Sequence, residues 1–171
     1  MKNLTILLLL NMALLTSCYT YKAITISFSE PIVNKFFDVI GTKDELFLKA
    51  NLWMVSTFKD AKSVIQYSDK AEGIITGKYL LKYTPASSGT FLGVYYSNPE
   101  ESIYSIIEVR VNDNKGYISV TPDSWTHTQQ IDASGKEVKR VGEYTKEMAI
   151  ADIDALCESF HKSLQAEKIN F

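Results

Sequence analysis

Apolar residues recur along this chain at two spacings, and the change between them divides it into elements. Ile103, Ser105, Ile107, Val109 and Val111 alternate with Tyr104, Ile106, Glu108 and Arg110, the period-2 signature of a strand that buries one face. Asn112-Asp113-Asn114-Lys115-Gly116 turns this strand back into Tyr117 to Thr121, where Ile118 and Val120 extend the apolar face and Pro122 ends it. Shorter strands are expected at Lys35 to Ile40, Ser63 to Ser68 and Ile74 to Tyr83. The last two form a hairpin through Asp69-Lys70-Ala71-Glu72-Gly73, since a short Gly-containing loop joins them. Ile24 to Phe28 alternates like a strand as well.

Two stretches carry helical spacing instead. Thr42 stands three residues before Glu45, the capping-box spacing, and Asp44 and Glu45 suit the positive end of a helix dipole. Phe47, Ala50, Met54 and Phe58 then recur every three or four residues, which predicts an amphipathic helix of about 16 residues. A second helix starts near Lys146 behind Thr145 as N-cap, with Ala149, Ile153, Leu156, Cys157, Phe160 and Leu164 as its apolar stripe. Thr84 to Glu101, with Pro85, Pro99 and a short strand at Phe91 to Tyr96, reads as a projecting loop; Asp123 to Glu143 reads as polar and irregular. The order β-α-β-β-β-β-α has one economical solution, an α+β two-layer domain with both helices on one face of an antiparallel sheet. The other face is left to solvent or to a partner.

The N-terminus follows neither pattern. Residues 1–17 hold eleven apolar positions and a single charge, Lys2. The run Leu4 to Leu15 is shorter than the ~20 residues a spanning helix needs and fits the core of a secretory signal peptide. It ends Leu15-Thr16-Ser17-Cys18, which resembles a bacterial lipobox, in which the cysteine is diacylated on sulfur and becomes the new N-terminus. Two or more acyl chains anchor a protein stably where one does not. The expectation is therefore a membrane-anchored envelope protein with no spanning helix. No acidic cluster follows Cys18, which favours an outer-membrane anchor facing the periplasm. The organisation expected is a cleaved signal at 1–17, lipidated Cys18 with a short tether and edge strand over 18–33, and a single domain at 34–167.

Composition sharpens this picture by exclusion. The mature 154 residues carry 17 basic and 20 acidic side chains, a net charge of −3. Nucleic-acid binding draws on many Lys/Arg contacts to phosphate, so a nucleic-acid partner is not expected. With Cys18 lipidated, Cys157 is the only other cysteine and has no internal disulfide partner; in an oxidising compartment it should be buried.

Particular residues resemble a known family. Gly41-Thr42-Lys43, Glu45-Leu46-Phe47, Ala50-Asn51-Leu52-Trp53 and Phe58-Lys59 look like the opening of the DUF4468 family. The run Val64-Ile65-Gln66-Tyr67-Ser68-Asp69-Lys70-Ala71-Glu72-Gly73-Ile74-Ile75-Thr76-Gly77-Lys78 is similar to its central signature. The resemblance spans roughly residues 34–123. It implies a TBP-like fold, a helix-backed curved antiparallel sheet, in bacterial envelope proteins mostly of Bacteroidetes. It implies no activity, ligand or catalytic residue.

The residues themselves point to no strong chemistry. Cys157 and His161 lie at i,i+4 on a helix, but Cys157 shares the apolar stripe, where a cysteine behaves as a small hydrophobe. Two histidines and one non-lipidated cysteine are too few for a structural zinc site, and no cofactor is expected. His127 could act as a general base and is the alternative, enzymatic reading; a purely structural envelope role is another. Gly73-Ile74-Ile75-Thr76-Gly77 lies within strands and reads as a site of bulge or bend. The turn at Asn112 to Gly116 lacks the distal Glu of a calcium loop. What remains is a face carrying Tyr104, Ile106, Glu108, Arg110 and Tyr117, among ten tyrosines overall, a residue favoured at interfaces for its apolar body and polar tip. The expected function is a non-enzymatic module that binds an envelope protein, peptide or glycan through that face.

Overall fold

A computed structural model describes residues 20–58, 64–91, 94–98, 100–131, 134–135, 137–138 and 144–166. Cys18 and the signal segment lie outside the described residues. The chain divides into two compact units, one of residues up to Ile26 with Trp125–Tyr144, the other of Ser27–Ser124 with the residues from Thr145 on.

In the smaller unit β1 (Thr20–Ile26) pairs antiparallel with β9 (Trp125–Ile131), and β9 pairs on its other side with β10 (Glu137–Val138). This corrects the expectation of irregular chain after Pro122. The segment Trp-Thr-His-Thr-Gln-Gln-Ile has few aliphatic residues and weak alternation, and it gains its strand from a partner about 100 residues earlier in the chain.

The larger unit is built on a five-stranded antiparallel sheet of order β2-β8-β7-β4-β3. Its strands are β2 (Val33–Asp38), β3 (Ile65–Asp69), β4 (Ile74–Thr84), β7 (Glu101–Asn112) and β8 (Lys115–Pro122). Helices α1 (Lys43–Thr57) and α2 (Lys146–Gln165) pack on one side of it, α1 over β7 and α2 over β2 and β8. This is the two-layer α+β arrangement expected from the pattern. Between β4 and β7, where a projecting loop was expected, a two-stranded hairpin forms from β5 (Ser87–Phe91) and β6 (Val94–Asn98).

The core lies between this sheet and the helices. Ile103, Ser105, Ile107, Val109 and Val111 of β7 are all buried, with Ile118 and Val120 beside them on β8. From above, α1 supplies Leu46, Ala50, Trp53 and Met54, and α2 supplies Ile153, Cys157, Phe160 and Leu164. The Trp53 indole packs on Phe160 at 5.0 Å between ring centroids, and its Nε1–H donates to Ser159 Oγ at 3.0 Å. That bond satisfies the polar edge of a buried ring. Lys49 Nζ donates to the carbonyl of Leu164 at 2.8 Å, occupying one of the open carbonyls at the α2 C-terminus. The outer side of α1 is less polar than an amphipathic pattern requires, with Leu48, Leu52 and Val55 exposed.

Entry into α1 is fixed by the capping box, with Glu45 N–H donating to Thr42 Oγ1 and Thr42 N–H donating to Glu45 Oε2. The β7–β8 turn clasps the same point. Asn114, at φ 58°, donates its N–H to Gly41 O at 2.9 Å and accepts from Gly41 N–H through Oδ1. Asp113 Oδ1 accepts from Lys43 N–H at 2.7 Å. The Asn-Asp-Asn turn therefore serves as a strut for the helix start, consistent with the loss of the calcium-loop pattern.

Two glycines show why the hairpin sequence is as it is. Opposite Gly77, β3 carries an extra residue between Ile65 and Tyr67, the bulge expected there. A Cβ on Gly77 would stand 2.8 Å from the Val64 carbonyl oxygen. Gly73, at φ +69°, donates no side chain where a Cβ would lie 2.2 Å from Val111 O, and its own carbonyl accepts Val111 N–H at 2.8 Å. Gly73→Ala therefore combines a left-handed alanine, about 1–2 kcal/mol, with a backbone clash. Denaturant unfolding should show a loss of at least that amount, with an unchanged m-value.

At the edge of the sheet Lys35 Nζ bridges Asp154 and Glu158 on α2, each at 3.0 Å. The hydrogen bond from Lys35 holds the Glu158 carboxyl below its ordinary range. A depressed folded pKa contributes stability above the unfolded value near 4.3 and loses it as pH falls through the folded value. Lys35→Gln should accordingly make Tm fall less steeply than in the wild type between about pH 5 and 3.

An open sheet face as the candidate site

The strict alternation of β7 places Tyr104, Ile106, Glu108 and Arg110 on the side of the sheet opposite the helices. Cross-strand register carries that face outward on both sides. Tyr104 stands opposite Leu80, Ile106 between Lys78 and Thr121, Glu108 between Thr76 and Ser119, and Arg110 between Ile74 and Tyr117. Tyr117 in turn faces Phe36 on the edge strand β2. The five residues singled out from the sequence therefore lie on one surface. That surface is exposed: Tyr104, Ile106 and Leu80 retain 41%, 46% and 46% of their accessible area, and Phe36 retains 80%.

The two ends of the face differ. At one end Lys78 Nζ lies 5.4 Å from the centroid of the Tyr104 ring and 2.7 Å from Asp123 Oδ2. Asp123 N–H donates to Tyr104 O at 2.7 Å, which ties the chain after β8 to this end of β7. At the other end the Phe36 and Tyr117 rings meet at 4.6 Å with a 42° tilt. Here Arg110 Nε donates to Glu108 Oε1 at 2.7 Å. An open cavity of about 600 Å³ lies at this end, walled by these residues and by the β3–β4 and β7–β8 turns.

Phe36, Lys78 and Leu80 belong to this face and were missed in the sequence. Phe36-Phe37 reads as one apolar run, and only strand parity separates Phe37, which packs on Phe160 and His161 beneath the sheet, from the exposed Phe36. The tyrosines divide between the two faces of the sheet. Tyr79 faces the core, where burial pushes its hydroxyl pKa upward. It lies beside Ser105, its register partner, whose hydroxyl opposes the upward shift. Neither Tyr79 nor Ser105 makes a hydrogen bond of good geometry through its buried hydroxyl.

His127 lies on β9 opposite Ile24 in the backbone register, and its side chain falls outside the described residues. Among the described residues no group of three or more His, Cys, Asp or Glu side chains could hold a metal ion. No described helix is long and apolar enough to cross a membrane.

Residues 41–122 match the model of a family described as a domain of unknown function, DUF4468, with TBP-like fold. That segment is a DUF4468 domain. It runs from α1 through β8 and holds every residue of the exposed face except Phe36. The chain is similar to the crystal structure of a DUF4468 family protein from Bacteroides ovatus at 13% identity and a TM-score of 0.45, covering 85% of this chain and 93% of that one. It is also similar to a TBP-like protein from Parabacteroides distasonis at 14% identity and a TM-score of 0.38, covering 87% and 95%. No curated protein matches it.

Outside the DUF4468 segment, Cys157 on α2 is fully buried in the core, and burial pushes its thiol up to about 11. A thiol with so little thiolate is a poor nucleophile. Its neighbour at i+4, His161, is stacked flat on Phe37 at 4.3 Å. In the native protein at pH 8, Cys157 should resist an aromatic disulfide reagent and react fully only in denaturant. Rapid native labelling would contradict its placement.

Proposed function

We propose that this chain is a non-enzymatic binding module of the bacterial envelope, held to a membrane by lipidated Cys18, that engages its ligand with the open face of the DUF4468 sheet. The single observation that carries the reading is the exposed row of large side chains on β4, β7 and β2, with Leu80, Tyr104, Ile106 and Phe36 all outside the core. A sheet with one solvated face normally sets polar residues there. Exposed apolar and aromatic groups interleaved with Lys78, Glu108 and Arg110 are what an interaction surface carries. The motif Leu15-Thr16-Ser17-Cys18 supports the anchor, and the net negative charge argues against a nucleic-acid ligand.

A photocrosslinking residue in place of Ile106 should give a discrete adduct in intact cells, while one in place of Lys162, on the outer side of α2, gives none. Tyr104→Ala should weaken the Ile106 adduct several-fold. Equal adducts at both positions would end the assignment of the face. The anchor is read separately: Cys18→Ser should abolish incorporation of labelled palmitate and release the protein from membranes. Persistent labelling of that variant would remove the anchor from the proposal.

A further inference from the structure

The Arg110 end of the open face has a chemistry of its own, and the geometry points to a binding site there for a carboxylate-bearing sugar, a uronic acid unit of a glycan. This rests on the reading of the face as a binding surface and names the ligand class for its cavity end. The cavity of about 600 Å³ falls in the range of small-ligand sites, with room for more than one sugar ring.

Its walls carry three kinds of group. Phe36 and Tyr117, in contact at 4.6 Å, present an aromatic platform, and the 80% exposure of Phe36 leaves its ring open to a ligand. Arg110, Lys115 and Lys43 supply positive charge. Glu108 and Glu72 supply acceptors. The Arg110–Glu108 pair at 2.7 Å engages the guanidinium only through Nε. The Glu108 contact uses Nε and leaves the two Nη nitrogens for a ligand, and a guanidinium takes a carboxylate through paired hydrogen bonds. Lys43 is steadied by donating Nζ to Ala71 O at 2.7 Å. Among the described residues, no hydrogen bond or ion pair engages Lys115 Nζ or the Glu72 carboxylate.

The mixture decides between ligand classes. A simple carboxylic acid would use the cations and leave the Glu72 carboxylate, and the Glu108 lone pairs that Arg110 does not occupy, facing nothing that donates. A neutral sugar would use the rings and the glutamates and leave the Arg110 Nη edge and Lys115 Nζ without an anion. A peptide C-terminus would bring its carboxylate close to Glu72 and Glu108 with few donors to offset them. A uronic acid meets all three: its carboxylate on Arg110 and Lys115, its hydroxyls donating to Glu108 and Glu72, and its apolar ring face on the aromatic pair.

The test is titration of the full mature chain with tri-galacturonate, read by calorimetry and by amide shifts in a ¹H–¹⁵N spectrum. Tri-galacturonate should bind, with shifts centred on Phe36, Arg110, Lys115 and Tyr117. Arg110→Gln and Phe36→Ala should each weaken it about tenfold, Lys162→Ala should leave it unchanged, and all three variants should melt like the wild type. Added salt should weaken binding, and cellotriose should bind at least tenfold more weakly. Equal binding of cellotriose, tighter binding of a tripeptide with a free C-terminus, or indifference to Phe36→Ala and Arg110→Gln would each overturn the sugar assignment. No interaction with tri-galacturonate overturns it too. If the Ile106 crosslink persists in that case, only the ligand class has failed; if the crosslink is also absent, the face itself has.

Discussion

The burial of one side of β7 is the constraint on which the larger unit depends. Ile107 and Val109 are completely inaccessible at the centre of the sheet, and α1 lies directly over them. Removing apolar area of that kind from water is worth about 25 cal/mol per Å², so the strand cannot slip by one residue without exposing its entire inner row. The outer row is then determined as well. Tyr104, Ile106, Glu108 and Arg110 face outward because their neighbours must face inward. A surface that lends itself to recognition is thus held in place by the core behind it.

Around that strand the remaining contacts locate the helices. The capping box starts α1 at Thr42, and the Asn114 turn fastens that start to the end of β7. The Trp53–Ser159 bond and the Lys49–Leu164 bond then set α2 against α1. Because the Asn112–Lys115 turn holds the helix start and also borders the cavity, the shape of the recognition end is tied to the packing of the first helix. Arg110, oriented by Glu108, stands on a strand whose every second residue is fixed in the core.

Much of this was legible in the chain because it is local. Thr42 and Glu45 state their cap at a spacing of three; β7 states its two faces by alternation; Thr145 caps α2 as its position predicts. What was not legible depends on distant partners. Trp125–Ile131 becomes a strand because Thr20–Ile26 lies beside it, and nothing in its own composition forces that. Ser87–Phe91 and Val94–Asn98 form a hairpin in a stretch whose serines and prolines read as loop. The same holds for the site. Tyr104 to Arg110 followed from one strand, whereas Phe36 joined them only through the pairing of β2 with β8, and Lys43 and Glu72 through the meeting of the α1 start with the β3–β4 turn. Tyr79 shows the converse, since β propensity alone could not say which side of β4 it would face.

The place of β2 at the sheet edge has a consequence for synthesis. Phe36 pairs with Tyr117, about 80 residues later. At about 5–20 residues per second the ribosome takes roughly 4–16 s to supply that partner. During this interval the segment that carries Val33, Phe36 and Phe37 lacks the strand it pairs with. Such a segment is prone to pair with other chains. A nascent chain of this protein therefore needs its early strand shielded until β8 emerges, and mutations that slow the β7–β8 turn would first show as lost yield in the cell.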